Sequence, residues 1–578
     1  MLSSMEPIPE ETAEDTWLVP QPAPHIPPPS SRVYDSLQCF LAVAFTIAAI
    51  LTIAGAAWLV HASQDNHAAE IVSLLAQTPG LRITLTAKRS SMAIHGQRTI
   101  EVYLKPRQHD RHLAFDALLT LPPAADLTTQ QFKLLRHRAS WSTTRHGQVI
   151  DSGCVHPHLV PPIHSLEASL VAAHVVHDGD LQQALDCAGG TLLALDFADE
   201  PYIVCKEKKS PRLTRGVGQD LYFVVEYILN SQDLPADILA AQDEAMAACP
   251  EMLLPMPPPL PSVWMPSHDD ILNQVDRLPP QVSSLDHQLR RHHEITRKQS
   301  CTCKLDRKRP CLFVNGVGYN ATLPPRSSYP ETWGSIHEHA PCCTSTSFGI
   351  METIQRGWQN ASLQGEFCDL VDKTRDKDDG LILITHSMAN LVAASAFASG
   401  VCSIIDDLVW VSLSGPNHGT KAANLLEKTC KEGGWPRDVL APILDAVGSC
   451  PAQPAYLSVK LESTASPAMV EKFKAAQDVL HRHVNRTMCG VSPFGLATTV
   501  SVALDTFAKL AHHDSAANDG LVDFPSCVAG VGDVNFGTDA VTAVNYRAQL
   551  NHLDTTFRFG DGWWGNDRKP VKWFECTL

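Results

Sequence analysis

The first 36 residues show no helical or strand period and are rich in Pro, Ser and Glu. That composition predicts a disordered tail, with polyproline II over QPAPHIPPPSS. The next 24 residues, 37–60, read LQCFLAVAFTIAAILTIAGAAWLV and hold no Asp, Glu, Lys or Arg. At 1.5 Å per residue such a helix covers about 36 Å, enough for a hydrocarbon core of about 30 Å. The pattern predicts a single transmembrane helix acting as a signal anchor. A cleaved signal peptide has a shorter apolar region and a short basic lead, although Val60-His61-Ala62 offers it a small-residue cleavage site.

Beyond the span the period changes to two. RITLTAKRS (82–90), RTIEVYLKP (98–106) and DLYFVVEYIL (220–229) read as strands, so 67–250 is expected to be an α+β or β-rich ectodomain region. It carries no catalytic constellation. A proline cluster, LLPMPPPLPSVWMP, opens a Pro-rich and basic linker over 251–309, where neither a helix nor a central strand continues. From 310 to 578 apolar runs alternate with helical stretches: CLFVNGVG, a helix near 347–374, LILITHS, a helix from 388 to Gly400, and DLVWVSLSG. That alternation predicts a mostly parallel sheet flanked by helices.

Charge and cysteines set the topology. A net charge of −16 excludes nucleic acid as the main partner, because phosphate binding needs a basic face. Arg32 before the span, and no Lys or Arg after it until Arg82, place the tail in the cytoplasm. After Cys39, the other 16 cysteines lie beyond the span, an even number suited to disulfides in an oxidising compartment. Cys301, Cys303 and Cys311 have metal-ligand spacing, but disulfides are the expectation there. Three sequons, at Asn320, Asn360 and Asn485, are candidates for glycosylation. Together these predict a single-pass membrane protein of the secretory pathway or cell surface, with its C-terminal region luminal or extracellular.

The candidate chemistry centres on Ser387 in Thr385-His386-Ser387-Met388-Ala389. An apolar strand runs into this serine and a helix leaves it, which is the outline of a nucleophile elbow, although Thr385 and Ala389 stand where G-x-S-x-G has glycines. The competing reading is a serine that only caps a helix. Upstream, Phe313-Val314-Asn315-Gly316-Val317-Gly318 is a strand entering glycines. Downstream, Asp519 in Asn518-Asp519-Gly520 precedes His552 in Asn551-His552-Leu553-Asp554, giving the order Ser…Asp…His. Asp523 is the alternative acid. Asp406 and Asp407 precede a strand and are worse placed. His386 rivals His552 only by proximity, and at an elbow it is expected to point away from the nucleophile's exposed side. His512 and His513 precede the acid.

THSMA, SGPNHGT (414–420), NDGLV (518–522) and NHLD (551–554) resemble the serine lipases of the α/β-hydrolase fold, of the triacylglycerol lipase type, over the C-terminal 270 residues or so. The resemblance implies Ser387 as nucleophile, Asp519 as acid and His552 as base, with the backbone N–H groups of Val317 and Met388 as the oxyanion hole. Asn315 stands where such lipases have His. Asp554 matches a position that in them can belong to a calcium site, with no partner carboxylate identified; no cofactor and no metal are expected. The implied activity is hydrolysis of carboxylic esters, lipid esters foremost, through an acyl-enzyme. An acyltransferase or thioesterase would use the same groups, and an inactive scaffold serving as a surface binding protein is the alternative from another class. Residues 431–484 are long enough to form a cap.

Overall fold

Alternation of apolar and polar residues buries one face of a strand, and the first region is built of such strands. A computed structural model describes residues 68–252 and 301–578 except 110–111, 125–126, 156, 158–159, 178, 240–243, 376–379, 433–449, 497, 499 and 531–534. The tail at 1–36, the span at 37–60 and the linker from 253 to 300 lie outside the described residues. Among the described residues, no helix is long and apolar enough to cross a membrane.

Two meanders make the first sheet. One comprises β1 (Gly80–Ala87), β2 (Thr99–His109), β3 (His112–Thr120), β4 (Thr128–Leu135), β5 (Arg138–Arg145) and β6 (Gln148–Cys154). The other comprises β7 (His174–Val176), β8 (Thr191–Phe197), β9 (Glu200–Lys206), β10 (Leu213–Gly218) and β11 (Leu221–Ile228). β1 pairs with β11 from Gly80 opposite Ile228 to Ala87 opposite Leu221, joining both into one antiparallel sheet of 11 strands.

The second sheet holds eight strands: β12 (Arg309–Val314), β13 (Leu323–Arg326), β14 (Cys343–Ile350), β15 (Gly380–His386), β16 (Asp407–Leu413), β17 (Val484–Gly490), β18 (Phe536–Gly537) and β19 (Asn545–Ala548). Their order is β13-β14-β12-β15-β16-β17-β19-β18, parallel throughout except for the edge strand β13. Helices α1 (Ala361–Thr374), α2 (Ala389–Ala398), α3 (Lys421–Glu432), α4 (Pro467–His483), α5 (Ser501–Ala511) and α6 (Pro570–Thr577) accompany it.

Both faces of this sheet are covered, which is why its central strands β12, β15 and β16 read as largely apolar runs. Leu312, Val314, Leu381 and Leu383 face α1, α2 and α4, with Phe367 and Phe473 in the same core. The alternate residues Cys311, Phe313, Ile382 and Ile384 face Trp573 and Phe574 of α6.

Two expectations need correction. The helical stretch expected near 347–374 begins only at Ala361, because Cys343–Ile350 pairs with β12 as a parallel strand. Of the cap expected over 431–484, residues 433–449 lie outside the described residues, and α4 instead lays Phe473, Ala476, Val479 and Leu480 into the sheet core. All 16 cysteines beyond the span pair into eight disulfides, Cys301, Cys303 and Cys311 among them with Cys576, Cys342 and Cys343. A metal site at those three is thereby excluded. The described residues between 68 and 578 form one compact unit.

Candidate active site

β15 ends at His386, and the chain turns at Ser387 with φ of +56° before α2 starts at Ala389. A non-glycine residue there costs about 1–3 kcal/mol and persists only where its surroundings enforce it. The Ser387 N–H donates to the Leu413 carbonyl at 2.9 Å. Gly316, at the end of β12, packs so closely that a Cβ there would lie 2.6 Å from Ser387 Cβ and 2.9 Å from the Met388 nitrogen. The close approach at this elbow therefore falls on Gly316. Thr385 and Ala389, expected at the crossing, are instead fully buried beside it.

Asp519 and His552 arrive from loops after β17 and β19. His552 Nε2 lies 3.0 Å from Ser387 Oγ, and its Nδ1 lies 2.8 Å from Asp519 Oδ2. The His552 N–H also donates to the Asp519 carbonyl at 2.8 Å. With Nδ1–H donating to the carboxylate, Nε2 is left as the acceptor for the serine hydroxyl. Asp519 Oδ1 accepts the N–H groups of Leu521 at 3.0 Å and Val522 at 2.7 Å. Burial pushes this carboxyl up, but attraction to His552 and these hydrogen bonds outweigh it, and it is held below its ordinary value.

The Asn551–Thr555 turn holds His552 from behind. Asn551 Oδ1 accepts the N–H groups of Leu553 and Asp554, and Thr555 Oγ1 donates to the His552 carbonyl. That carbonyl also faces His386 Nε2 at 3.0 Å. The His386 ring is buried, with ring centroids 4.7 Å from His552 and 6.3 Å from Trp333. Burial, and then the neighbouring His552, push its imidazole down to about 3, so it is neutral and donates to the carbonyl.

The rival residues have other partners. Asp523 pairs with His513 Nδ1 and accepts the Asp514 N–H at 3.0 Å, while His513 Nε2 faces the Gly520 carbonyl at 3.2 Å. Asp523 thus supports the loop that carries Asp519 and does not contact His552. Asp407 binds Arg307 and Arg309 at the opposite end of β16. Asp554 Oδ2 accepts the N–H groups of Leu496 and Asn551. Among the described residues no group of three or more His, Cys, Asp or Glu is placed to hold a metal ion. Asn320 and Asn485 are exposed, and Asn360 is half-buried with its side chain capping α1 through the Leu363 N–H at 3.1 Å.

Val317 and Met388 flank the serine. Among the described residues neither backbone N–H has a hydrogen-bond acceptor. The cleft in front of Ser387 has a volume of about 800 Å³, its open mouth included. Val317, Tyr456, Val459, Val500, Leu504 and Leu521 form much of its wall, and among the described residues no Asp, Glu, Lys or Arg lines it. Three residues that sequence reasoning missed, Asn390, Trp410 and Thr555, act through hydrogen bonds to the elbow or the base. An asparagine one step past the elbow sequence was the only visible sign of them.

By sequence, the chain matches no established protein family and no curated protein. Among solved structures it is similar to a metagenomic carboxyl esterase, at 13% identity over 48% of this chain and 75% of that one, with a TM-score of 0.29. It is similar to the Staphylococcus hyicus lipase at 12% identity, over 44% of this chain and 91% of that one, with a TM-score of 0.26. Phospholipase PlaB of Legionella pneumophila follows at 12% identity, over 38% and 43%, with a TM-score of 0.23. Likenesses this distant carry no argument of their own.

Proposed function

We propose that this protein is a serine hydrolase of carboxylic esters with an apolar acyl group, lipid esters foremost. The observation that carries the reading is the continuous hydrogen-bonded line Ser387–His552–Asp519, opening into an apolar cleft. A serine hydroxyl needs a base to take its proton, and the base needs an acid to fix its tautomer. His552 Nε2 takes the Ser387 proton as Oγ attacks the ester carbonyl. The N–H groups of Val317 and Met388 receive the oxyanion, where loss of one donor costs about 2.7–4 kcal/mol. His552 then passes its proton to the leaving alcohol, and a water activated by the same nitrogen releases the acid. The uncharged wall favours a neutral acyl chain, since a charged group there would lose its hydration without a partner.

The protein is further proposed to be anchored by residues 37–60 with its C-terminal region luminal or extracellular. The complete pairing of 16 cysteines supports an oxidising compartment, and the exposed Asn320 and Asn485 leave room for glycans.

A fluorophosphonate probe tests the reading. Labelling of the full-length protein in detergent is expected, absent in Ser387→Ala and reduced at least about 100-fold in His552→Ala. A folded, oxidised protein that takes no label overturns the proposal and favours an inactive scaffold. Nitrophenyl esters of increasing chain length then separate lipase from short-chain esterase behaviour.

A further inference from the structure

Ser387 is strained, and a threonine and an alanine stand where an elbow ordinarily has glycines. Something else in the fold must hold the turn. Thr385 is fully buried on β15, and its hydroxyl receives the indole N–H of Trp410 at 2.8 Å from the neighbouring strand β16. The same hydroxyl donates to Asn390 Oδ1 at 2.5 Å. Asn390, also fully buried, spends both amide hydrogens on the elbow: Nδ2 donates to the Ser387 carbonyl at 3.0 Å and to the Leu413 carbonyl at 3.2 Å. The Leu413 carbonyl is the group that receives the Ser387 N–H. Both backbone polar groups of Ser387 therefore belong to one network.

We propose that Thr385, Asn390 and Trp410 are positioning residues that lock the Ser387 turn, supplying by hydrogen bonds what tight glycine packing supplies elsewhere. The proposal rests on the reading of Ser387 as the nucleophile. None of the three lines the cleft, so none touches substrate and any effect on turnover passes through Ser387. Every donor and acceptor on the three side chains is used, and a fully satisfied buried network in a low dielectric is rigid. Packing alone does not require these residue types. Val would occupy similar space at 385 without the hydroxyl, and Ala at 390 and Phe at 410 would be smaller apolar groups that make none of these hydrogen bonds. Thr385 is thus a working part of the elbow rather than a defect in it, because its hydroxyl orients Asn390 and Asn390 holds the serine.

The test uses the full-length protein and the variants Thr385→Val, Thr385→Ser and Asn390→Ala. Each is read by fluorophosphonate inactivation rate, by kcat and KM on a nitrophenyl ester, and by Tm. Assays run well below the lowest Tm. Thr385→Val and Asn390→Ala are expected to lower both kcat and the inactivation rate roughly 10- to 100-fold, the scale of a misplaced reacting atom, with KM changed less than about threefold. Thr385→Ser keeps the hydroxyl and is expected to restore most of the rate. Variants with a lowered Tm but kcat within about threefold of wild type overturn the lock, since packing is then their only role. Trp410→Phe supplies the same comparison if Thr385→Val fails to fold. A wild-type protein that takes no label overturns the nucleophile reading and the lock with it, whereas normal wild-type labelling with an unaltered Asn390→Ala rate overturns the lock alone.

Discussion

Asp519 and Asp554 are both buried, and their surroundings shift them in opposite directions. Asp519 meets an imidazole and two backbone N–H groups and is held below its ordinary value. For Asp554, burial dominates and raises the carboxyl to about 7, although it accepts N–H groups from Asn551 and Leu496 and feels Arg568. The folded state thus binds the Asp554 proton more tightly than the unfolded chain, whose aspartates titrate near about 3.9. Stability from this group is fully present below that value and is lost as pH rises toward about 7. Asp554→Asn, which cannot ionise, is expected to flatten the dependence of Tm on pH between about 5 and 8 and to raise Tm relative to wild type at the alkaline end. Differential scanning calorimetry across that range checks it. Sequence reasoning placed Asp519 and His552 by their order in the chain, but the identity of neighbours that raise or lower a carboxyl is a property of three-dimensional packing.

At the scale of elements, the site is a crossing of β12, β15 and α2. Gly316 faces Ser387 Cβ, the Met388 nitrogen and the His386 carbonyl, so a methyl group there must displace backbone. Gly316→Ala is expected to lower kcat at least about 100-fold, as misplacement of a reacting atom does, and circular dichroism should show an intact fold. An unchanged rate would mean that the loop after β12 moves freely from the elbow. β12, β15 and β16 were legible because they are largely continuous apolar runs. β14, CTSTSFGI, β17, VNRTMCG, and the four-residue β19, NYRA, carry no such pattern and are strands because their neighbours in the sheet pair with them. The segment read as a cap likewise divides between α4 in the sheet core and cleft-lining residues such as Tyr456 and Val459.

At the scale of the whole molecule, the two sheets are joined through buried charge. Lys569 at the start of α6 lies 2.6 Å from Glu200 and 2.7 Å from Asp220, and Lys572 lies 2.6 Å from Asp220. Arg89 reaches Asp561 and Glu575, and His339 meets Glu575 at 3.1 Å. Glu200 and Lys569 are fully buried. Burial pushes the Asp220 carboxyl up, but Lys569, Lys572 and Arg89 outweigh it and hold it far below the carboxylate range. Its stabilisation is present above the unfolded value of about 3.9 and is lost as pH falls below that. Removing one member leaves an uncompensated buried charge, which costs about 3–5 kcal/mol. Lys569→Met is expected to lose stability on that scale in urea unfolding, and residues 301–578 produced alone are expected to take no fluorophosphonate label. A stable, labelled fragment would show that the first sheet is dispensable.

The sequence by itself determined the parallel core, the serine at its strand-to-helix turn and the order of Ser387, Asp519 and His552 along the chain, because periodicity and local turn chemistry are written in adjacent residues. It also determined that cysteines beyond the apolar span are even in number. Tertiary structure alone decided which glycine takes the close approach, that Asn390 and Trp410 hold the elbow, that Asp523 serves His513, and that Glu200 and Asp220 meet lysines some 350 residues later. Those contacts depend on distances between groups remote in the chain, and no local pattern encodes a distance.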